Sequence, residues 1–362
     1  MVVVRPNSSS KRNGRGILGF ASGINAKSYI ILGLTMVLFS FSCCYIYIYN
    51  LHINSHHFTT SDEAAGNWRR GSSLFHRLEG MSNGFSWKVI DWQHPFSADE
   101  ESRFTCTWTH FQSFLSRESA PMCVHDDDAV SNSIKGNKRW SDCDILPVLW
   151  NNGSAESYVY VEIGANIGSC LMEMLLSTNA SIIAFEPHPM NLYNIKKTVS
   201  LLGESYQDRL TLFPLGLGNA SATSTIYSAT GNMGNSGKVI SDHPGQVFDQ
   251  KNQFTVHVER LDSILAASKM KIGLMKMDAQ GFECRIVEGM GDVAEIIDVM
   301  KFEYAYPWLH SHGCFDLVSL LMKNFDIYTG FHDGVFSGLT NDIEVSANTN
   351  TVFDLFASKR NS

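Results

Sequence analysis

Between Ser28 and Leu51 the chain has no charged residue, and from Met1 to Lys27 it has no acid. It also lacks any C-x-x-C pair or Cys/His spacing of the kind that holds zinc, so no metal site is assigned from spacing. No cluster of lysine and arginine stands in the C-terminal two thirds, and the formal charge is −8. A general affinity for nucleic acid is thereby disfavoured, because neutralising phosphates needs such a surface. The third glycine of a dinucleotide-binding turn is missing as well, which weighs against a nicotinamide oxidoreductase. What remains is 362 residues with 44% apolar and 18% charged content, enough for one globular domain of ordinary size plus extra segments.

The charge-free segment 28–51, as a helix rising about 1.5 Å per residue, exceeds a hydrocarbon core of roughly 30 Å. It is expected to span a membrane as an uncleaved signal anchor; a cleaved signal peptide or an organellar transit sequence is the alternative. Arg5, Lys11, Arg12, Arg15 and Lys27 precede it, while His52, His56, His57, Asp62 and Glu63 come after it, so the positive-inside rule puts the N-terminus in the cytosol. The expected organisation is a basic tail over 1–27, the anchor over 28–51, a Ser/His/Gly/Asn-rich stalk over 52–85, a Trp/Cys-rich lead-in over 86–150, and a large domain over 151–362 on which the lead-in packs. That is a single-pass type II membrane protein with its bulk in the lumen of the Golgi or endoplasmic reticulum. A lumenal domain tolerates oxidising conditions and carries glycosylation acceptors. Asn152, Asn179 and Asn219 each open an N-x-[ST] triplet, and Cys106, Cys123, Cys143, Cys170, Cys284 and Cys314 form an even set open to fifteen pairings. Cys43 and Cys44 fall inside the span, where apolar burial or palmitoylation would suit them. The run Asp126-Asp127-Asp128 reads as a solvated turn.

After Tyr158, short apolar runs alternate with helical stretches, the pattern of a parallel sheet covered on both faces. Strands are expected at 158–163, 181–185, 210–215, 272–277 and 297–303, and helices over 169–178, 191–202, 263–267 behind an Asp262 N-cap, and 281–290. Residues 324–329 and 351–357 read as a closing antiparallel pair. Between the third and fourth strands, Thr223–Tyr227 and Gln253–Leu261 alternate apolar and polar residues around the glycine-rich segment 231–237, which reads as a lid, with a disordered insertion as the alternative.

The most informative run is Tyr158-Val159-Tyr160-Val161-Glu162-Ile163-Gly164-Ala165-Asn166-Ile167-Gly168, an apolar strand that ends on an acid and breaks into a glycine turn. Gly164 and Gly168 permit a sharp turn and close approach to a ligand. Glu162, two residues ahead of the first glycine, repels phosphate and suits a cationic, phosphate-free ligand. S-adenosylmethionine fits, with a sulfonium, an ammonium and two ribose hydroxyls for Glu186 at the next strand's end. The plain alternative is an ordinary strand-to-helix turn. Ligands of open parallel sheets sit beyond the carboxyl ends of the strands, where Glu162, Glu186, Asp278 and Glu303 all fall. Asp278 would lie beside the transferred methyl with Glu283 near it, each able to take a proton, orient a hydroxyl or hold a divalent cation; stabilisation of a helix N-terminus is the alternative. Among His188, His310, His312 and His332 as further bases, His188 is the best placed.

The ordered set Val161–Gly168, Ala184-Phe185-Glu186-Pro187, Arg260-Leu261-Asp262-Ser263-Ile264 and Lys276-Met277-Asp278-Ala279-Gln280-Gly281-Phe282-Glu283 resembles the FkbM-type methyltransferases over roughly Tyr158 to Tyr304. Upstream, Met122-Cys123-Val124-His125 with Val130-Ser131 and Trp140 resembles the lead-in of membrane-anchored eukaryotic members. The resemblance implies a seven-stranded, doubly wound, mostly parallel α/β sheet of the class I, Rossmann-like kind, and methyl transfer from S-adenosylmethionine, commonly to a hydroxyl oxygen of a glycan or small molecule. By carry-over, Glu162, Gly164, Asn166, Gly168 and Glu186 surround the cofactor, and Asp278, Gly281 and Glu283 form a second signature. Gln280 stands where an acid is common in the family, and Glu162 where aspartate is more usual. A lumenal scaffold that keeps the fold without turnover is the competing expectation.

Overall fold

The computed structural model describes residues 79–82, 85–150, 158–229, 231, 248–265, 270–332, 334–340 and 352–360. The anchor at 28–51, Asn152 and, apart from Gly231, the lid segment lie outside the described residues. Among the described residues no helix is long and apolar enough to cross a membrane. Two hairpins come first: β1 (Glu79–Ser82) with β2 (Phe85–Lys88), and β3 (Thr107–Gln112) with β4 (Ser119–Val124). Then come β5 (Tyr158–Ile163), β6 (Ser181–Phe185), β7 (Leu210–Phe213), β8 (Gly216–Leu217), β9 (Ala222–Ala229), β10 (Phe248–Glu259), β11 (Lys271–Met277), β12 (Ile297–Ala305), β13 (Phe325–His332), β14 (Val335–Thr340) and β15 (Val352–Lys359).

The main sheet has the order β14-β13-β15-β12-β11-β5-β6-β7. From β12 to β7 all neighbours are parallel, while β15 is antiparallel to both β12 and β13. This is the expected α/β sheet with one correction: it has eight strands, not seven. The additional strand, β14, folds back on β13 with His332 opposite Val335, leaving the dipeptide Asp333-Gly334 between them. That dipeptide is the usual sequence mark of a two-residue hairpin turn. The chain order reverses on either side of β5, because β6 lies to one side and β11 to the other. A crevice must open there at the carboxyl ends of the strands.

Helices Ser169–Ser177 and Pro189–Ser200 cover one face, burying Leu171, Leu175, Leu192 and Ile195 with Tyr160, Ile182 and Leu274. On the other face Val161, Ile163, Ile183, Met275, Met277 and Phe302 form a second cluster with Leu261 and Ile286. Two boundaries differ from expectation. Asp262 lies inside the helix Leu261–Leu265 and pairs with Arg260, so it is no cap. The helix after β11 starts at Glu283 rather than Gly281, because Gln280 (φ 54°) and Gly281 (φ 97°) are in the left-handed region and cannot open a right-handed helix.

The lead-in is not a free-standing unit. Phe111, Met122 and Ile134 pack on Ile167, Met172 and Leu176, while Leu146, Leu149 and Trp150 join Tyr160 and Leu274. Trp92 donates its indole N–H to the Leu210 carbonyl at 2.9 Å, whereas Trp108 is 47% exposed. Asp126 and Asp127 are exposed, but Asp128 is buried and caps the helix Ala129–Asn137 by accepting from the Ser131 N–H and hydroxyl, each at 2.8 Å. Three disulfides join Cys106 to Cys123, Cys143 to Cys170 and Cys284 to Cys314. Asn179 and Asn219 are exposed in loops.

Candidate active site

The crevice at the switch point holds a cavity of about 460 Å³ lined by Glu162, Gly164, Asn166, Glu186, His188, Lys276, Asp278, Gln280 and Glu303, among others. Three strand tips build it. The chain leaving β5 turns through Gly164 (φ 77°) and Asn166 (φ 53°) to Gly168 (φ 86°), which precedes the helix Ser169–Ser177. The Gly164 and Ala165 N–H groups donate to the Phe185 carbonyl at 3.0 and 3.1 Å, tying this corner to β6. On the other side it presses against β11: a Cβ on Gly164 would lie 1.9 Å from the Asp278 carbonyl oxygen. Glycine is required there by both the dihedral and the space.

Glu162 and Glu186 stand at the ends of adjacent parallel strands, both almost fully buried and both lining the cavity. Glu186 accepts from the N–H groups of Asn166 (2.7 Å) and His188 (2.8 Å) and from the Asn191 amide (3.3 Å). Glu162 accepts from the Tyr160 hydroxyl at 3.0 Å. Burial pushes the pKa of each up to about 7, for Glu162 against the pull of Lys276, for Glu186 against the two backbone donors. Two carboxyl groups held at the edge of ionisation are poised to become anions when a cation arrives. Asn166 leaves its side-chain Oδ1 buried with no protein partner beside the same cavity. The glycine cradle, this orphan acceptor and the paired carboxyls suit a ligand that carries positive charge, an ammonium donor and vicinal hydroxyls. S-adenosylmethionine is such a ligand.

The opposite wall is β11. Lys276, buried, places its ammonium 3.2 Å from Asp278 Oδ2. Burial opposes the lysine's charge, but Asp278, Glu162 and Asp142 outweigh it and hold its pKa above the usual lysine range. Asp278 remains partly open to the cavity, with 29% of its side chain exposed. Gln280 donates its amide N–H groups to Asp278 Oδ1 (2.6 Å) and Glu303 Oε2 (2.9 Å). Burial, then the charge of Asp278, pushes Glu303 up to about 9, so at neutral pH it holds its proton.

Two sequence-based roles change. Glu283 accepts from the Ala279 N–H (2.8 Å) and the Gly281 N–H (2.9 Å) and is almost fully buried; it holds the turn that follows Asp278 and does not line the main cavity. His188 lines the cavity, yet its Nδ1 accepts from the Met190 N–H at 3.2 Å, capping the helix Pro189–Ser200, and its Nε2 therefore donates to the Ser228 hydroxyl at 2.9 Å. Burial lowers its pKa to about 3, so it has neither a free lone pair nor a proton affinity suited to base catalysis. His310, His312 and His332 do not line the main cavity.

Residues that sequence reasoning passed over include Lys276, Lys301, Asp142 and Asp354. Lys276 and Lys301 are register partners across β11 and β12, and Lys276 is likewise the partner of Glu162. Their signal was legible: each is a single lysine inside an apolar parallel strand, Leu274-Met275-Lys276-Met277 and Val299-Met300-Lys301-Phe302, where a charge survives only if paired.

A family model described as a methyltransferase FkbM domain matches residues 162–319. No curated protein matches the chain. Matches among solved structures include a precorrin-6y methyltransferase from Geobacter metallireducens, at 11% identity over 61% of this chain and 88% of that one, with a TM-score of 0.33. An rRNA methylase from Streptococcus thermophilus matches at 10% identity over 60% of this chain and 94% of its own, TM-score 0.33. A SAM-dependent O-methyltransferase from Thermotoga maritima matches at 8% identity over 79% and 88% respectively, TM-score 0.33. At such scores none of these three bears on the chemistry of this chain.

Proposed function

We propose that this chain, which a methyltransferase FkbM domain model matches over residues 162–319, is a methyltransferase that uses S-adenosylmethionine and acts on a hydroxyl oxygen of a glycan or small molecule. The observation that carries this reading is the placement of Glu162 and Glu186 at neighbouring strand tips, around one glycine corner, with Asp278 across the same cavity. The cofactor, when bound, would supply a methyl group whose bond to the sulfonium sulfur breaks on transfer, leaving a neutral thioether. Glu186 would hold its ribose hydroxyls, and Glu162 with the Asn166 Oδ1 would face its positive groups. Asp278, fixed between the Lys276 ammonium and the Gln280 amide, accepts a hydrogen bond from the acceptor hydroxyl, aligns its lone pair and takes up its proton as the new carbon–oxygen bond forms. Alignment of the two reactants supplies most of the rate, and the buried walls exclude water.

Calorimetry with S-adenosylmethionine and with NAD, then a methyl-label transfer screen on secretory glycans, lipids and proteins, tests the reading. Binding of the first with turnover supports the enzyme; binding without turnover on any pool supports a scaffold; NAD binding removes both. Asp278→Asn should lower kcat by about 10²-fold or more with the cofactor Kd little changed. Unchanged labelling would remove Asp278 from the chemistry.

The same proposal places the protein in the secretory pathway as a type II membrane protein anchored through 28–51. The charge asymmetry around that segment, the three disulfides and the exposed Asn179 and Asn219 support it. Resistance to alkaline extraction together with a glycosidase-sensitive mobility shift is the expected result; release into the soluble fraction would overturn the anchor.

A further inference from the structure

We propose that the acceptor site is built for an uncharged oligosaccharide, one sugar lying over Asp278 and the next running past Lys301, Asp142 and Asp354 into a second cavity. The proposal rests on the methyl-transfer reading and deepens it. Lys301 is 3% exposed in its side chain, with its ammonium 2.9 Å from Asp142 Oδ1 and 2.7 Å from Asp354 Oδ1. The two carboxylates are 29% and 33% exposed, so the cation is sealed while its partners are open. These three residues line both the main cavity and a neighbouring one of about 290 Å³, so the two adjoin along them. The remaining lining of the second cavity includes Ser141, Thr329, His332, Phe331 and Phe356, and no further Asp, Glu, Lys or Arg among the described residues. Hydroxyls, an imidazole and aromatic rings beside two open carboxylates form a surface that accepts hydrogen bonds from neighbouring hydroxyls and covers the apolar face of a sugar ring.

Gln280 adds an independent constraint. Donation from its Nε2 to the Asp278 carboxylate sets the amide orientation, with the Glu303 carboxyl as a second acceptor; the amide's Oε1 is buried and has no hydrogen-bond partner in the protein. It requires a donor from the ligand, because an unpaired buried acceptor is costly. A sugar hydroxyl supplies such a donor. Charge points the same way. Among the described residues, Asp142, Asp278 and Asp354 line the main cavity beside Lys276 and Lys301, both already paired; Glu162 and Glu186 face the cofactor's end and Glu303 holds its proton. An anionic acceptor would meet repulsion without a cation to receive it.

The full-length enzyme is incubated with methyl-labelled S-adenosylmethionine and a panel of neutral di- and trisaccharides, the matching monosaccharides, and sulfated or phosphorylated counterparts. Cofactor affinity is measured by calorimetry on the same preparation. The expected kcat/KM for neutral oligosaccharides exceeds that for monosaccharides and anionic counterparts by roughly tenfold or more. Gln280→Met and Asp354→Asn should each raise the KM for a neutral oligosaccharide about tenfold, with the cofactor Kd changed by less than about twofold. Ser141→Trp, at an exposed position that makes no ion pair itself, fills the second cavity and should narrow the gap between oligosaccharides and monosaccharides. Equal labelling of anionic sugars or monosaccharides, oligosaccharide kinetics unchanged in Ser141→Trp, or cofactor binding with no sugar labelled would each overturn the acceptor assignment while leaving methyl transfer standing. Absence of cofactor binding by the wild type would fell both.

Discussion

Asp278 and Glu283 are five residues apart and differ in what they touch. Asp278 meets a lysine, an amide and the open cavity; Glu283 meets two backbone N–H groups. Glu283→Gln keeps one acceptor but turns an NH2 toward a backbone donor, so denaturant unfolding should show a loss of about 1–3 kcal/mol. Its pH–rate profile should keep the wild-type shape, and a lost limb would return Glu283 to the chemistry. Gly164→Ala is more severe, because the new methyl would sit 1.9 Å from the Asp278 carbonyl oxygen at a φ of 77°. A stability loss of about 3 kcal/mol or more, with cofactor binding abolished by calorimetry, is expected from the overlap and the backbone strain. The glycine was conspicuous in the sequence, but its partner was not, since Asp278 lies over a hundred residues downstream.

At the scale of elements, the site depends on how helices are capped and pinned. The helix Pro189–Ser200 begins with His188 as its N-cap, so His188→Ala should cost about 0.5–2 kcal/mol in unfolding experiments. Methyl transfer by the folded variant should persist, and a loss of more than about 10²-fold in kcat at unchanged cofactor Kd would argue for a base after all. The helix Ser169–Ser177, which carries the glycine corner at its start, is stitched through Cys170 to Cys143 in the turn that holds Asp142. Paired Cys143→Ser and Cys170→Ser substitutions open a loop of sequence separation 27, and a loss of about 3 kcal/mol is expected from the freed chain entropy. Most of the strand and helix spans after Tyr158 were legible because their apolar spacing is regular. The lead-in hairpin β3–β4 was not, because its pairing is settled by packing on Ile167 and Met172 from later in the chain.

For the molecule as a whole, buried carboxyls in the cavity and in the turn beside it hold protons. Glu162, Glu186 and Glu283 are raised from the ordinary value of 4.5 to about 7, and Glu303 to about 9, in each case chiefly by burial. Such a carboxyl keeps its proton when folded over a range where the unfolded chain has released it. Its contribution to stability is therefore greatest below about 4.5 and is lost as pH rises through the folded pKa. The urea midpoint of the ligand-free protein should fall between about pH 5.5 and 8. A bound sulfonium favours the ionised carboxyls, so cofactor affinity should rise over the same interval and binding should release protons. Calorimetry in buffers of different ionisation enthalpy reads that release; a buffer-independent enthalpy would contradict it.

The residues alone determined the parallel α/β architecture, the glycine corner, the acids at the strand ends and the cationic character of the ligand they suit, because periodicity and strand-end chemistry are local properties. Tertiary structure decided which of those acids share a cavity, which carboxylate is spent on backbone donors, and which of fifteen cysteine pairings forms. It also decided that Lys276 and Lys301 stand side by side, since strand register brings together residues that no sequence spacing relates. Burial then set the protonation of the carboxyls, a quantity that depends on the surrounding packing of distant segments and has no counterpart in the one-dimensional chain.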